Sequence, residues 1–373
     1  MSLELMNESM EDWNGKIAAA EEMMPVIGRM YRDKAVETSI FGRLLNNRTV
    51  MNIVKCCRFA RQVENEELSV LEAQAVLEEI KDLDLSPCHI DIGKLAVNFR
   101  RFGQDRSLRA YVLEELNGAL RSNTTDKEKT DIVLYGFGRI GRLLAREIIA
   151  KSGSKEAIRL RAIVVRENGD NDLMKRASLL RRDSVHGSFD GTITVDHDSN
   201  TIIANGQRIQ VIYASNPADV DYKAYGIDQA LVVDNTGKWR DRDGLSLHLK
   251  CPGVSRVLLT APGKGDLKNI VHGVNQHEIN DQDTIISAAS CTTNAITPVL
   301  AAIDEKYGVQ HGHVETVHSY TNDQNLIDNF HSGDRRGRAA ALNMVITETG
   351  AAKAVAKALP QLKGKLTGNA IRV

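Results

Sequence analysis

A cysteine and a histidine are the two side chains in this sequence whose types and spacing suggest covalent catalysis. Cys291 lies in the motif Ser-Cys-Thr-Thr-Asn, between a β-type run at residues 284–289 and a helix-type run at residues 295–305. A thiol in the first turn of a helix faces unpaired N–H groups that favour its thiolate form. The motif alone leaves two equal alternatives for Cys291, a nucleophile or a small buried residue that packs as a hydrophobe.

His318 follows Cys291 in an alternating, strand-like run at residues 313–321. One strand–helix–strand excursion can return the chain beside its starting point, so the two side chains can form a nucleophile–base pair. A lone histidine in a strand is more often structural. Next to an exposed Cys291, the general-base interpretation is favoured.

A glycine motif upstream indicates how a cofactor would reach this pair. A strand at residues 131–135 runs into Gly-Phe-Gly-Arg-Ile-Gly at residues 136–141, and a helix continues to about residue 150. These glycines permit a tight turn, close approach of the backbone to a pyrophosphate, and close helix–strand packing. A second strand at residues 160–165 ends near Glu167, an acid suited to ribose hydroxyls. The alternative is a glycine-rich turn in an unrelated α/β unit.

Later strands also end in polar loops, at residues 234–237 and 260–263, and the next strand leads to Cys291. Loops at the carboxyl ends of parallel strands are where dinucleotides bind. We therefore predict an α/β protein with a Rossmann-type, doubly wound nucleotide-binding domain at residues 130–290.

Residues 1–129 are predicted to be a helical N-terminal extension. A capping box opens a helix at Ser69 and Glu72, and residues 121–129 are polar and typical of a linker. One helical face carries the apolar residues Trp13, Ile17, Ala20, Met24, Ile27 and Tyr31. A packing or assembly module is favoured over a second active site.

Composition narrows the class of protein. The net charge is −1, and the five cysteines show no disulfide or metal-ligand spacing. We expect a cytoplasmic protein that binds neither nucleic acid nor membrane and carries no metal. The basic segment at residues 329–340 and the helix start at residues 347–353 are either solvated surface or anion-binding sites.

Residues 132–373 resemble phosphorylating glyceraldehyde-3-phosphate dehydrogenase. The resemblance rests on five motifs in order, at residues 136–142, 183–187, 290–294, 318–324 and 349–354. The N-terminal extension resembles the one carried by some bacterial members. The resemblance implies that Cys291 attacks the aldehyde of glyceraldehyde 3-phosphate and that His318 takes the hydroxyl proton. Inorganic phosphate would then release 1,3-bisphosphoglycerate from a thioester.

The resemblance also implies ligand contacts and a homotetramer. Inorganic phosphate is assigned to Ser290, Thr292, Thr349 and Gly350. The substrate phosphate is assigned to Thr321, Asp323, Arg336 and Arg372. Contacts to NAD are assigned to Gly136, Gly138, Arg139, Ile140, Gly141, Glu167, Thr236, Gly237 and Thr260.

Departures from the family pattern qualify these expectations. Tyr135 stands where family members usually have asparagine, and Glu167 stands where they usually have aspartate. Ala295 stands where many members have a second cysteine. NAD-selective members often carry Leu-Pro where Asn-Phe stands at residues 329–330, and Arg166 precedes the acid. NAD is favoured, and NADP is left open.

The resemblance implies that residues 291–373 form an α+β catalytic domain that is incomplete, because family members continue beyond the strand that holds Arg372. We therefore expect a fragment that is inactive or poorly folded alone. Two alternative functions remain open: an erythrose-4-phosphate dehydrogenase, and a non-catalytic assembly protein that acts through its extension.

Overall fold

The computed structural model describes residues 3–103, 105–120, 129–151, 158–347 and 349–373. The chain forms two compact units, one of Met1–Lys129 with Ala150–Arg159 and one of Thr130–Ile149 with Leu160–Val373. Residues 121–128 of the predicted linker lie outside the described residues. The domain boundary predicted at residue 290 stays a prediction.

The first unit contains five helices and a small sheet in its described part. The helices are α1 (Leu3–Lys34), α2 (Val50–Glu64), α3 (Val70–Ile80), α4 (Ile92–Phe102) and α5 (Leu108–Glu115). The predicted capping box is confirmed, since the Ser69 hydroxyl accepts from Leu71 N and the Glu72 carboxylate from Ser69 N. Apolar faces of these helices enclose one core that includes Met23, Leu77 and Ile92.

Two features of the first unit differ from the prediction. Three strands, β1 (Val36–Ile40), β2 (Arg43–Leu44) and β3 (Cys88–Asp91), form a sheet in the order β2-β1-β3. They were not predicted because they are short and β1 pairs with the distant β3. The predicted face of α1 is wrong for Trp13 and Met24, which are exposed. The helix instead buries Met23 and Met30 beside Ala20 and Ile27.

The second unit is built on an eight-stranded sheet. Its strands are β4 (Thr130–Tyr135), β5 (Ile158–Val165), β8 (Ile193–Asp196), β9 (Thr201–Ala204), β10 (Gln207–Tyr213), β11 (Ala230–Asp234), β12 (Val254–Leu259) and β13 (Ile285–Ser287). The short strands β6 (Arg182–Asp183) and β7 (Gly187–Ser188) pair separately.

The strand order β13-β12-β11-β4-β5-β10-β9-β8 confirms the predicted Rossmann-type fold. The chain reverses its direction of travel across the sheet between β4 and β11, which are parallel neighbours. Such a reversal opens a crevice at the carboxyl ends of the strands, where ligands bind. The associated helices are α6 (Arg139–Lys151), α7 (Asp172–Arg181) and α8 (Arg242–Leu249).

A second sheet, of three strands, follows the nucleotide-binding sheet. It contains β14 (Gly312–His318), β15 (Val345–Thr347) and β16 (Leu366–Arg372) in the order β14-β16-β15. Helices α9 (Cys291–Tyr307) and α10 (Ala351–Ala358) contribute Leu300 and Val355 to an apolar cluster with Leu366. The α+β character predicted for residues 291–373 is therefore present, and β16 is its central strand.

Three chemical features bear on the compositional predictions. All five cysteines are free thiols. No described helix is long and apolar enough to cross a membrane. Within the described ranges, no three His, Cys, Asp or Glu side chains are grouped so as to hold a metal ion. The cytoplasmic location stays a prediction.

Candidate active site

Cys291 is the first residue of α9 and follows a strained turn after β13. Ala289 has φ of 59°, a left-handed conformation that is uncommon for a residue with a Cβ. Ser290 caps the helix by accepting from Thr293 N at 3.0 Å. Asn294 holds the same turn, because its amide donates to the carbonyl oxygens of Ala288 and Ser290. This turn presents the thiol to solvent at the start of a helix.

His318 lies beside Cys291, as the sequence predicted. Nε2 of His318 is 3.8 Å from Sγ of Cys291, and Thr292 Oγ1 is 4.0 Å from the same sulfur. The thiol is exposed, so the buried-hydrophobe alternative for Cys291 is wrong. A nucleophile and a base within contact distance form the arrangement that covalent catalysis requires.

Two groups surround Nδ1 of His318. The carbonyl oxygen of Ser319 lies 2.7 Å away, and Nη1 of Arg372 lies 3.0 Å away. A carbonyl only accepts and a guanidinium only donates, so the two contacts favour opposite states of Nδ1, a proton toward Ser319 and a lone pair toward Arg372. The shorter contact, to Ser319, favours the proton on Nδ1. The neutral ring then has its lone pair on Nε2, facing the sulfur, which is the tautomer of a general base.

The residues assigned to phosphates fall into separate groups. Arg372 adjoins His318, whereas Asp323 and Arg336 form an ion pair with each other. Thr321 carries the carbonyl that accepts from Gln324 N at 2.9 Å. Gly350 is the residue before α10, and its carbonyl accepts from Ala354 N. A Cβ on Gly368, in β16, would lie 3.7 Å from the Thr349 methyl group.

A cavity of about 770 Å³ lies in the crevice at the carboxyl ends of β4, β5, β10 and β11. Four residues assigned to the cofactor line it, namely Gly136, Gly138, Glu167 and Thr236. The remaining lining residues are Tyr135, Phe137, Val164, Val165, Arg166, Asn168, Arg176, Ala214, Ser215, Asn235, Lys238 and Trp239. The cavity therefore combines a glycine turn and a helix start with one acid and three cationic side chains.

Two glycines are required by the geometry of this turn. Gly136 has φ of +92°, and a Cβ there would lie 2.9 Å from the Thr236 methyl group. A Cβ on Gly141 would collide with the carbonyl oxygen of Gly136, so α6 packs directly on the turn. Gly138 has open space in front of it. These features fit a backbone that a pyrophosphate approaches closely.

Other residues assigned to the cofactor lie next to the cavity. Arg139 and Ile140 begin α6, and Gly237 follows Thr236 with φ of +63°. The Thr260 hydroxyl donates to the Asp234 carbonyl at 3.0 Å and lies 3.1 Å from Oδ1 of Asn235, so its direct contacts support the neighbouring loop.

Asp183 holds the turn formed by the motif at residues 183–187. Its carboxylate accepts from Val185 N and His186 N, and Nη2 of Arg139 lies 3.5 Å from it. The N–H groups of His186 and Val185 hold the pKa of Asp183 well below its usual range. The motif thus places a charged group beside the start of α6.

Sequence reasoning missed two polar residues beneath the cavity, Asp234 and His248. Both side chains are fully buried, and Nε2 of His248 lies 3.0 Å from Oδ2 of Asp234. The polar loop after β11 was a signal for Asp234. No local pattern marked His248, which lies in the last turn of α8.

Comparisons with known proteins agree with this geometry. A family model for the NAD-binding domain of glyceraldehyde 3-phosphate dehydrogenase matches residues 130–242, and one for its C-terminal domain matches residues 290–373. A glyceraldehyde-3-phosphate dehydrogenase-like protein of Pseudomonas aeruginosa (strain UCBPP-PA14) is 62% identical over 354 residues, covering 94% of this chain and 77% of the relative. That alignment is longer than residues 130–373, so it includes much of the N-terminal extension.

Two further relatives align over about two thirds of this chain. Chloroplastic glyceraldehyde-3-phosphate dehydrogenase A of Zea mays is 43% identical, covering 72% of this chain and 64% of the relative. Glyceraldehyde-3-phosphate dehydrogenase of Zymomonas mobilis is 41% identical, covering 65% of this chain and 69% of the relative. Neither the erythrose 4-phosphate nor the non-catalytic alternative is favoured by these matches. The chain belongs to the glyceraldehyde-3-phosphate dehydrogenase family of NAD-binding oxidoreductases.

Proposed function

We propose that this protein oxidises D-glyceraldehyde 3-phosphate with NAD and inorganic phosphate to 1,3-bisphosphoglycerate. The observation that carries the proposal is the 3.8 Å contact between Cys291 Sγ and His318 Nε2. Cys291 follows β13, whose carboxyl end lies at the same edge of the large sheet as the strand ends that form the nucleotide crevice, and His318 ends β14 of the second sheet. This shared edge supports a site in which the nucleophile and its base lie near the cofactor cavity.

Cys291 and His318 carry the covalent steps. The Cys291 sulfur adds to the aldehyde carbon while the thiol proton passes to the carbonyl oxygen, which becomes the hydroxyl of a thiohemiacetal. His318 then accepts the hydroxyl proton at Nε2, the nitrogen that faces the sulfur. NAD, when bound, supplies the oxidising equivalent as a hydride acceptor. A phosphate oxygen attacks the resulting thioester, the C–S bond breaks, and Cys291 leaves as a thiolate.

The cavity fits a dinucleotide on its own geometry. Its volume of about 770 Å³ suits a large ligand, and the open face of Gly138 lies where α6 begins. Glu167 presents a carboxylate suited to ribose hydroxyls, and the loop residues Asn235, Thr236, Lys238 and Trp239 also line the cavity. NAD is therefore held by the glycine turn, Glu167 and the loop around Thr236.

The phosphate groups are assigned to two sets of residues. We assign the substrate phosphate to Arg372, Arg336, Asp323 and Thr321. We assign inorganic phosphate to Ser290, Thr292, Thr349 and Gly350. Support comes from Arg372 beside His318 and from Thr292 beside the nucleophile, since phosphate groups must lie on either side of the reacting carbon.

The test is phosphate-dependent formation of NADH from glyceraldehyde 3-phosphate. Cys291→Ser should abolish it, and His318→Asn should lower kcat by roughly 10²–10⁴-fold. Cys88→Ser is the matched thiol control and should keep full activity, because Cys88 lies in the first unit. NADH formation that persists without phosphate, or in Cys291→Ser, would contradict the proposal.

We also propose that the protein is a homo-oligomer, as a homotetramer is expected for the family. The segment between β14 and β15 exposes apolar side chains, with Phe330 93% and Leu342 85% exposed. Large exposed apolar side chains mark interaction surfaces when they cluster in one part of the surface. Light scattering should give a mass of several chains, and Phe330→Ser with Leu342→Ser should lower it. A monomeric parent protein would contradict the assignment.

A further inference from the structure

Asp234 and His248 form a buried polar pair beneath the cofactor cavity. Asp234 is the last residue of β11, and His248 lies in α8, so the pair joins a strand end to the following helix. Both side chains are 0% exposed, and Nε2 of His248 lies 3.0 Å from Oδ2 of Asp234. A carboxylate only accepts, so Nε2 carries the proton of this hydrogen bond.

The other carboxylate oxygen holds the loop that follows β11. Oδ1 of Asp234 accepts from Thr236 N at 2.8 Å and from the Thr236 hydroxyl at 2.7 Å. The Thr236 hydroxyl in turn accepts from Lys238 N at 3.1 Å. A continuous chain of hydrogen bonds therefore runs from His248 through Asp234 to the backbone of residues 236–238.

The far end of this chain lines the cavity. Thr236, Lys238 and Trp239 are lining residues, whereas Asp234 and His248 lie behind them. The His248 ring also stands edge-on to Tyr135, with centroids 4.7 Å apart, and Tyr135 contacts Trp239 in the same way at 5.8 Å. His248 thus supports the cavity wall through a polar route and an aromatic route.

Stability alone does not account for this pair. Buried ion pairs are often replaceable by apolar residues without loss of stability, because the cost of removing them from water offsets their attraction, and a buried carboxylate–histidine hydrogen bond bears the same kind of cost. Nδ1 of His248 is also buried without a hydrogen-bond partner among the described residues. A buried polar atom without a partner costs stability. This cost is accounted for if His248 is needed to orient Asp234, which holds the loop.

We propose that Asp234 and His248 are positioning residues that hold residues 235–239 in the conformation that binds NAD. The proposal rests on the cofactor site described above and deepens it. His248 orients the Asp234 carboxylate, and that carboxylate fixes two backbone N–H groups of the loop, one directly and one through the Thr236 hydroxyl. The loop is then ordered before the cofactor arrives, so binding does not bear the cost of ordering it.

A matched pair of variants tests the proposal. In His248→Gln the amide reaches the position of Nε2 and can still donate to Asp234, whereas in His248→Asn it is too short. We expect His248→Asn to raise the dissociation constant for NAD at least tenfold and His248→Gln to change it less than about threefold. Isothermal titration calorimetry measures the constants, and circular dichroism confirms folding. Ser246→Ala, at a half-buried position of α8 outside the cavity lining, should bind NAD as the parent protein does.

Hydrogen exchange provides a second measurement that needs no cofactor. Peptides covering residues 234–239 should exchange faster in His248→Asn than in His248→Gln, because the N–H groups of Thr236 and Lys238 lose their anchored acceptors. The proposal is overturned if folded His248→Asn binds NAD within threefold of the parent protein, or if its loop exchange is unchanged. If the parent protein fails to bind NAD while His248→Asn still shows faster loop exchange than the parent protein, the cofactor assignment is contradicted and the positioning role is not.

Discussion

His318 and Arg372 are direct partners across the parallel strands β14 and β16, and Nη1 of Arg372 lies 3.0 Å from Nδ1 of His318. Nη1 of Arg372 also lies 3.3 Å from the carbonyl oxygen of Ser319, and that oxygen lies 2.7 Å from Nδ1 of His318. The proposed base and a proposed phosphate ligand therefore share one acceptor. Occupation of the substrate phosphate site and orientation of the base are physically linked at this point.

Replacing Arg372 should weaken binding of the phosphorylated substrate specifically. Hydrogen bonds to charged groups contribute about 1.5–3 kcal/mol, so Arg372→Leu should raise KM for glyceraldehyde 3-phosphate by roughly 10–100-fold. Initial rates measure this change. The KM for unphosphorylated glyceraldehyde should move less than about threefold. Arg338→Leu, which removes an exposed arginine paired with Asp328, is the matched control. Equal changes for both aldehydes would contradict the assignment.

Replacing Glu167 should increase the use of NADP. Glu167 and Arg166 both line the cavity, so a ribose 2′-phosphate would meet one repulsive and one attractive charge. Unit charges about 4 Å apart interact by about 1 kcal/mol in water and more near a protein surface. Glu167→Gln should therefore raise the ratio of kcat/KM for NADP to that for NAD about tenfold. Asp170→Asn, an exposed acid outside the cavity lining, should leave the ratio unchanged. A fall in the ratio would show that Glu167 does not face the ribose.

Asp183 should make the stability of the protein depend on acid pH. Because the N–H groups of His186 and Val185 lower its pKa in the folded state, the carboxylate stabilises the fold above its unfolded pKa of about 3.9. This contribution is lost as pH falls below about 4 toward the folded pKa. Asp183→Asn should thus flatten the acid limb of a plot of melting temperature against pH. Asp198→Asn, at an exposed turn, serves as the control, and an unchanged limb in Asp183→Asn would be inconsistent with the hydrogen bonds described.

The capping box should contribute measurably to the first unit. Ser69→Ala removes the acceptor for Leu71 N and should lower the free energy of unfolding by about 1 kcal/mol. Leu71→Ala, in the same helical turn but exposed, should change it by less than about 0.5 kcal/mol. Denaturant unfolding measures both. Equal effects of the two substitutions would mean that the cap contributes little.

Local features of the fold and site were predictable from the sequence. The glycine turn at residues 136–141, the helix start at Cys291 and the capping box at Ser69 each depend on residues within one or two turns of each other. Backbone sterics and helix-end hydrogen bonding act over that range. The sequence by itself therefore determined the local elements that present Cys291 and the glycine turn, and it predicted which residues carry the chemistry.

Features that depend on distant parts of the chain were decided by the tertiary structure. The small sheet of β1, β2 and β3 joins segments about 50 residues apart, and the partners of His318 come from α9 and from β16. The Asp234–His248 pair likewise needs α8 to pack against the end of β11. Pairing register and helix packing bring these groups within hydrogen-bonding distance, and neither is encoded by any short motif. The sequence determined the identity of the reactive groups, and only the packed structure decided which of them touch.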